Sequence, residues 1–165
     1  MIALDTHLMV YAHRADTPAH DAALRLLQQL AESSEPWAIP WPCVHEFISV
    51  VTGPAFGKAA TPLEVALEAA RQLLAHPRCI VLSETDGHFE LLSALCQHAN
   101  LRGGAIHDAR IAALCIAHQV DELWSCDRDF NRFPDLRVRN PLIPSVHQPA
   151  PLYRTGRKAR KLSKP

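Results

Sequence analysis

Nowhere in its 165 residues does this chain carry about 18 consecutive apolar side chains, so no membrane-spanning helix is expected. Its first residues, Met1 to Asp5, lack a basic stretch ahead of an apolar run, so no secretory leader is expected either. A cytoplasmic, soluble protein follows. The five cysteines (Cys43, Cys79, Cys96, Cys115, Cys126) are odd in number and contain no C-x-x-C pair, which leaves no disulfide framework. They read as reduced, buried thiols in apolar surroundings. Cys115 and His118 supply at most half of a zinc site, because a structural site needs four ligands and no second pair stands out. Repeats at solenoid periods are absent. Net charge is also absent, with 17 basic and 17 acidic residues, but the balance hides an asymmetry. Residues 154–165 hold six basic side chains (Arg154, Arg157, Lys158, Arg160, Lys161, Lys164) and no acid. The eleven basic residues that remain face seventeen acidic ones, a net −6. Such a body needs cations at its site if it is to handle a polyanion, while the basic tail either assists with phosphates or merely solubilises.

What is present is an apolar content of 48%, enough for one ordinary domain burying about two thirds of its unfolded surface. Ile2-Ala3-Leu4 is a short continuous apolar run that stops at Asp5-Thr6, as a strand buried on both faces of a parallel sheet does. Leu8 to Ala12 begins a helix. Thr17-Pro18 has the form of an N-cap with proline in the first turn, ahead of an apolar stripe at Ala23, Leu26, Leu27 and Leu30. Trp37-Ala38-Ile39 reads as a second strand, turned by Pro40-Trp41-Pro42 into a helix with the stripe Val44, Phe47, Ile48 and Val51. After the break at Gly53 to Gly57, Thr61-Pro62-Leu63-Glu64 has the form of a capping box for a long apolar helix reaching about Ala75. Cys79 to Leu82 is a third strand. Thr85 or Asp86 is expected to cap a helix through Leu91, Leu92 and Leu95, ending near Gly103-Gly104. Ala105 to Val120 is a helix apolar on most faces, Glu122 to Ser125 a fourth strand, and Leu136 to Arg139 a fifth. Strands alternating with helices predict a three-layer α/β/α sandwich with a central, mainly parallel sheet over residues 1–142, followed by an irregular, Pro-containing basic tail over 143–165.

In an open parallel sheet, ligands bind beyond the carboxyl ends of the strands, and Asp5 and Asp127 fall at or just past such ends. Each alone is more often a turn former or helix cap. Asp127 and Asp129 either point the same way along an extended segment or form a capped turn leading into a short helix through Phe133. Glu46 stands one residue off its helix's apolar stripe, at the edge of the core, and Asp108 opens a helix after the Gly103-Gly104 turn. Two strand tips and two helix starts at one sheet edge place four carboxylates together. At about 4 Å and an effective dielectric near 20, each pair repels by about 4 kcal/mol, so the cluster requires a divalent cation. All-oxygen donors fit Mg2+ or Mn2+ rather than Zn2+. Hydrolysis of a phosphodiester by cation-activated water is the natural chemistry.

The segment Asp5-Thr6-His7-Leu8-Met9-Val10-Tyr11-Ala12 resembles the start of a PIN domain. His45-Glu46-Phe47, Ile106-His107-Asp108-Ala109-Arg110-Ile111-Ala112-Ala113 and Ser125-Cys126-Asp127-Arg128-Asp129-Phe130 resemble the family's second, third and fourth acidic positions, in the right order over residues 1–140. Size and motif wording are similar to the VapC toxins of bacterial toxin–antitoxin pairs. The resemblance implies an Mg2+-dependent endoribonuclease, with Mn2+ as a substitute, acting on structured RNA such as tRNA or ribosomal RNA. It implies a homodimer silenced by a cognate antitoxin. Asp5, Glu46, Asp108 and Asp127 then carry the chemistry, Asp5, Asp108 and Asp127 as metal ligands with Glu46 and Asp129 secondary. By the same analogy Thr6 and Ser125 support the carboxylates or the ion's waters. His7 departs from the pattern, an asparagine being usual there. Arg110 with Gly103 and Gly104 offers a phosphate contact, against the plainer reading of a surface arginine. Trp41 stacks a base or, by the preferred reading, packs in the core. The helices over 61–75 and Ala23 to Leu30 are expected to offer a groove to a partner helix. A phosphate-receiving signalling domain also carries an acidic pocket, but it needs an Asp ending the middle strand and a lysine ending the last. Here Leu82-Ser83-Glu84 ends the third strand and Lys58 is the lone lysine before the tail. A catalytically silent PIN scaffold is opposed by retention of all four acidic positions.

Overall fold

A computed structural model describes residues 1–143; the basic run over 154–165 lies outside the described residues. The order of elements is β1 (Ile2–Leu4), α1 (Thr6–His13), α2 (His20–Glu32), β2 (Trp37–Pro40), α3 (Trp41–Thr52), a 3-10 segment (Pro54–Ala59), α4 (Leu63–Leu74), β3 (Cys79–Leu82), α5 (His88–His98), α6 (Ala105–Ala117), β4 (Glu122–Trp124), a second 3-10 segment (Arg128–Arg132) and β5 (Val138–Arg139). Strand order is β3-β2-β1-β4-β5, with every pairing parallel. The result is an α/β/α sandwich. The chain winds outward from β1 through β2 to β3, then returns to the other side of β1 for β4. The crevice where the winding reverses therefore lies between the carboxyl ends of β1 and β4, the position at which this architecture binds ligands.

The central strands are short and buried. Ala3, Leu4, Ala38, Ile39 and Leu123 are fully inaccessible to solvent. Phe47 of α3, Phe130 and Phe133 close the core, and α6 contributes Ala109, Ile111, Ala112, Ala113, Leu114 and Cys115, as its apolar sequence predicts. The edge strand β3 departs from the expectation of a wholly apolar environment: Ile80 is exposed and Cys79 only half-buried, because no strand lies beyond it. Cys96 and Cys126 are likewise half-buried, so of the five unpaired thiols only Cys43 and Cys115 fit the buried reading. His118 turns to the Ser83 carbonyl at 2.8 Å, away from any zinc pairing with the buried Cys115.

Three expected caps do not form. Thr17 hydrogen-bonds the Arg14 carbonyl and closes a turn, so α2 starts later, after Ala19. Thr61 Oγ1 stands 3.2 Å from His13 Nε2, leaving α4 to start beyond Pro62 without a side-chain cap. In front of α5 the N-cap is Gly87 in the left-handed region, φ +80°, rather than Thr85 or Asp86. The helix over 61–75 is shorter than expected and amphipathic: Ala66 and Ala70 face the core while Leu63, Val65 and Leu67 are exposed. Helix α1 begins at Thr6, two residues before the expected start, and α6 ends at Ala117 rather than Val120. Trp41, in the first turn of α3, is 37% exposed, against the expectation of core packing; its ring packs edge-on to His45.

Candidate active site

Asp5 continues the sheet, its N–H donating to the Trp124 carbonyl at 3.0 Å, and then becomes the N-cap of α1. An aspartate there ordinarily satisfies the helix's free N–H groups. This one does not. Its Oδ2 accepts a hydrogen bond from Ser125 Oγ at 2.6 Å and lies 3.3 Å from His7 Nδ1, while Cys43 Sγ stands 3.9 Å from Oδ1. The residue is 3% exposed. Ser125, just past β4, also accepts from the Asp127 N–H at 2.9 Å, which ties the tips of β1 and β4 together through one hydroxyl. Thr6 Oγ1 donates to Glu46 Oε2 at 2.6 Å and fastens α1 to the exposed face of α3.

Asp108 lies in the first turn of α6, beyond the Gly103 turn, whose φ of +59° favours glycine. Gly104, the N-cap, lines a cleft with Asp108 and Glu46, whereas Gly103 does not. Among the described residues nothing donates a hydrogen bond to the Asp108 carboxylate. Burial, then the negative charges of Asp127, Asp129 and Asp5, raise its pKa against the pull of Arg132. His7 is also held above its ordinary range, chiefly by its hydrogen bond to Asp5, with burial opposing and the charges of Asp5, Asp127 and Glu46 assisting. These mutual influences bring Asp5, Glu46, Asp108 and Asp127 into one electrostatic neighbourhood around the crevice. Asp127 accepts from the Asp129 N–H at 2.8 Å and caps the 3-10 segment, so the capped turn wins over the extended alternative. Asp129 is exposed and pairs with Arg132 at 2.7 Å.

Among the described residues no lysine or arginine forms an ion pair with Asp5, Glu46, Asp108 or Asp127. Nor do three His, Cys, Asp or Glu side chains there form a grouping that would hold one ion directly. The donors nonetheless suit Mg2+: they are hard oxygens without a lysine or arginine ion pair among the described residues, and this ion keeps several waters and needs only one or two carboxylates. Arg110, two residues past Asp108, lines the same cleft but donates from Nε and Nη2 to Glu84 Oε1. The contacts of His7 and Cys43 with Asp5, and of Glu84 with Arg110, are additions to the sequence reading. His7, two residues from Asp5, is the one of these that sequence proximity signals.

Residues 2–136 match the family model of the PIN domain. The chain belongs to the PIN-domain family. Within it the chain is similar to the VapC ribonucleases: Ribonuclease VapC43 of Mycobacterium tuberculosis (strain H37Rv) is 35% identical over 147 residues, covering 89% of this chain and 99% of the relative. The solved structure of VapBC2 from Rickettsia felis bound to a DNA fragment from their promoter matches with a TM-score of 0.59 at 25% identity, over 84% of this chain and 98% of that one. VapBC-1 from nontypeable Haemophilus influenzae shares the fold at a TM-score of 0.62 and 20% identity, over 87% of this chain and 100% of that one. Residues 2–136 are thus a PIN domain, and the phosphate-receiving signalling alternative falls away.

Proposed function

We propose that this PIN domain is an Mg2+-dependent endoribonuclease and the toxin of a toxin–antitoxin pair, with residues 1–142 as the working unit. The observation that carries the reading is a buried Asp5 carboxylate in an acidic neighbourhood, with His7, at 3.3 Å, and no lysine or arginine as its ion-pairing partner among the described residues. Burial of such an anion is costly unless a cation completes it. Asp5, Asp108 and Asp127 would hold the ion, with Glu46 and Asp129 in reserve. Once bound, the cation supplies an activated water and neutralises charge gathering on the phosphodiester. Ser125 and His7 fix the Asp5 carboxylate, so that no reorganisation is needed as charge develops. Thr6 does the same for Glu46. Exposure of the cleft between α3 and α6 suits a strand of structured RNA, tRNA or ribosomal RNA by analogy with the family.

A partner also fits. Between α2 and α4 runs an apolar groove of about 320 Å³ whose lining includes Met9, Leu27, Trp37, Phe47, Leu73 and His76. A cognate antitoxin is the proposed occupant, and a homodimer in the cytoplasm the proposed state. No helix among the described residues is long and apolar enough to cross a membrane. Purified protein incubated with total RNA tests the activity: cleavage should require Mg2+ or Mn2+ and stop with EDTA, and cleavage insensitive to EDTA would defeat the reading.

A further inference from the structure

A cleft of about 460 Å³ opens between α3 and the start of α6, lined by Pro42, His45, Glu46 and Ser49 on one side and by Gly104, His107, Asp108, Arg110 and Ile111 on the other. Two of its carboxylates belong to the acidic cluster, so a polyanion entering it meets repulsion that something must offset. Among the described residues, Arg110 is the one arginine or lysine in the lining. His45, His107 and Ser49 add donors, since an imidazole keeps at least one N–H in any protonation state.

The Arg110 guanidinium is engaged in a way that leaves it exchangeable. Its Nε, at 3.0 Å, and its Nη2 both converge on Oε1 of Glu84. Two donors on one oxygen leave the guanidinium's matching to a two-oxygen anion unused, whereas a phosphate accepts its fork bidentately. The side chains are 38% and 40% exposed, and a solvated pair of this kind contributes little to stability. Nor does the loop depend on it, because His118 Nε2 and the Ser83 carbonyl, at 2.8 Å, fasten the neighbouring residue to the end of α6.

We propose that Arg110 binds a backbone phosphate of the RNA strand beside the acidic cluster, and that Glu84 occupies this guanidinium as an internal stand-in until RNA displaces it. The inference rests on the ribonuclease reading and adds to it a strand path, along the α3–α6 cleft, and a competitor within the chain.

Binding of a short 5′-labelled single-stranded RNA, followed by fluorescence anisotropy across a KCl series in Mg2+, tests this on Asp5→Asn protein, in which the RNA stays intact. Arg110→Ala should weaken binding about tenfold, as loss of a charge-assisted pair does. It should also reduce the slope of log K against log salt by about 0.7, one phosphate contact to a single strand. Arg110→Lys should keep the slope and recover part of the affinity. Glu84→Gln should tighten binding about threefold, and this gain should vanish when Arg110→Ala is added. Unchanged affinity and slope in Arg110→Ala would overturn the proposal, and so would a Glu84→Gln gain that persists without Arg110. If wild-type protein cleaves RNA while Arg110→Ala binds normally, this inference fails and the ribonuclease reading stands; the predicted binding pattern without any wild-type cleavage means the reverse.

Discussion

Ser125→Ala tests whether one hydroxyl holds the two central strand tips in register. The side chain donates at 2.6 Å to Asp5 and accepts at 2.9 Å from the Asp127 N–H, so its removal leaves that N–H unpaired and takes from Asp5 its shortest donor, with His7 at 3.3 Å remaining. A hydrogen bond to a charged group contributes about 1.5–3 kcal/mol, and a part-buried N–H left unpaired adds about 1 kcal/mol. Asp5 is 3% exposed, so water does not replace the lost donor without rearrangement. The expected cost is therefore about 2.5–4 kcal/mol, a large part of the roughly 5–15 kcal/mol that a domain possesses. Urea denaturation followed by circular dichroism would show a lower midpoint with an unchanged slope. Ser125→Thr, which keeps the hydroxyl, should recover most of the loss. A Ser125→Ala cost below about 0.5 kcal/mol, the range of ordinary surface changes, would refute this account of the junction.

Asp108→Asn should stabilise the protein at neutral pH in EDTA. The fold raises this carboxyl's pKa, so its favourable contribution is complete below the ordinary carboxylate range and is lost as pH rises through the folded value. The mutant's advantage in urea midpoint should consequently shrink as pH falls and vanish below about pH 4, the unfolded carboxyl range, and an advantage equal at neutral and at such acid pH would contradict the cause given. The thiols make a second test. Burial pushes Cys79 and Cys126 up to about 11 and Cys115 to about 12, and burial and then the Asp5 charge hold Cys43 well above its ordinary range, so at pH 8 native protein should alkylate slowly at all four and quickly once unfolded. Rapid native labelling of Cys43 or Cys115 would show the core to be open.

The sheet was legible because its strands obey one rule: short apolar runs ending in polar tips. Asp5 was visible for that reason, whereas Asp108, at a helix start where an acid is structurally ordinary, and Ser125 stood out only through the resemblance to the PIN domain. The caps at Thr17, Thr61 and Thr85 or Asp86 were not legible. A capping threonine is a local signal, but His13, far away in sequence, claims Thr61, and the turn at Arg14 claims Thr17. The same limit hid Glu84: it lies 26 residues from Arg110, and only the placement of the β3 tip beside α6 brings the two together. Trp41 was misread because a large aromatic side chain favours the core in general, while its exposure at the first turn of α3 is set by tertiary placement that the local sequence does not carry.

Analysis of the RNA ends produced by wild-type, Asp5→Asn and Asp108→Asn protein, with and without Mg2+, bears most directly on the central claim. Attack by cation-activated water leaves 5′-phosphate and 3′-hydroxyl ends, and both variants should stay folded yet lose cleavage by at least about a hundredfold. Cleavage in EDTA that leaves 2′,3′-cyclic phosphates, or full activity in Asp5→Asn, would contradict it.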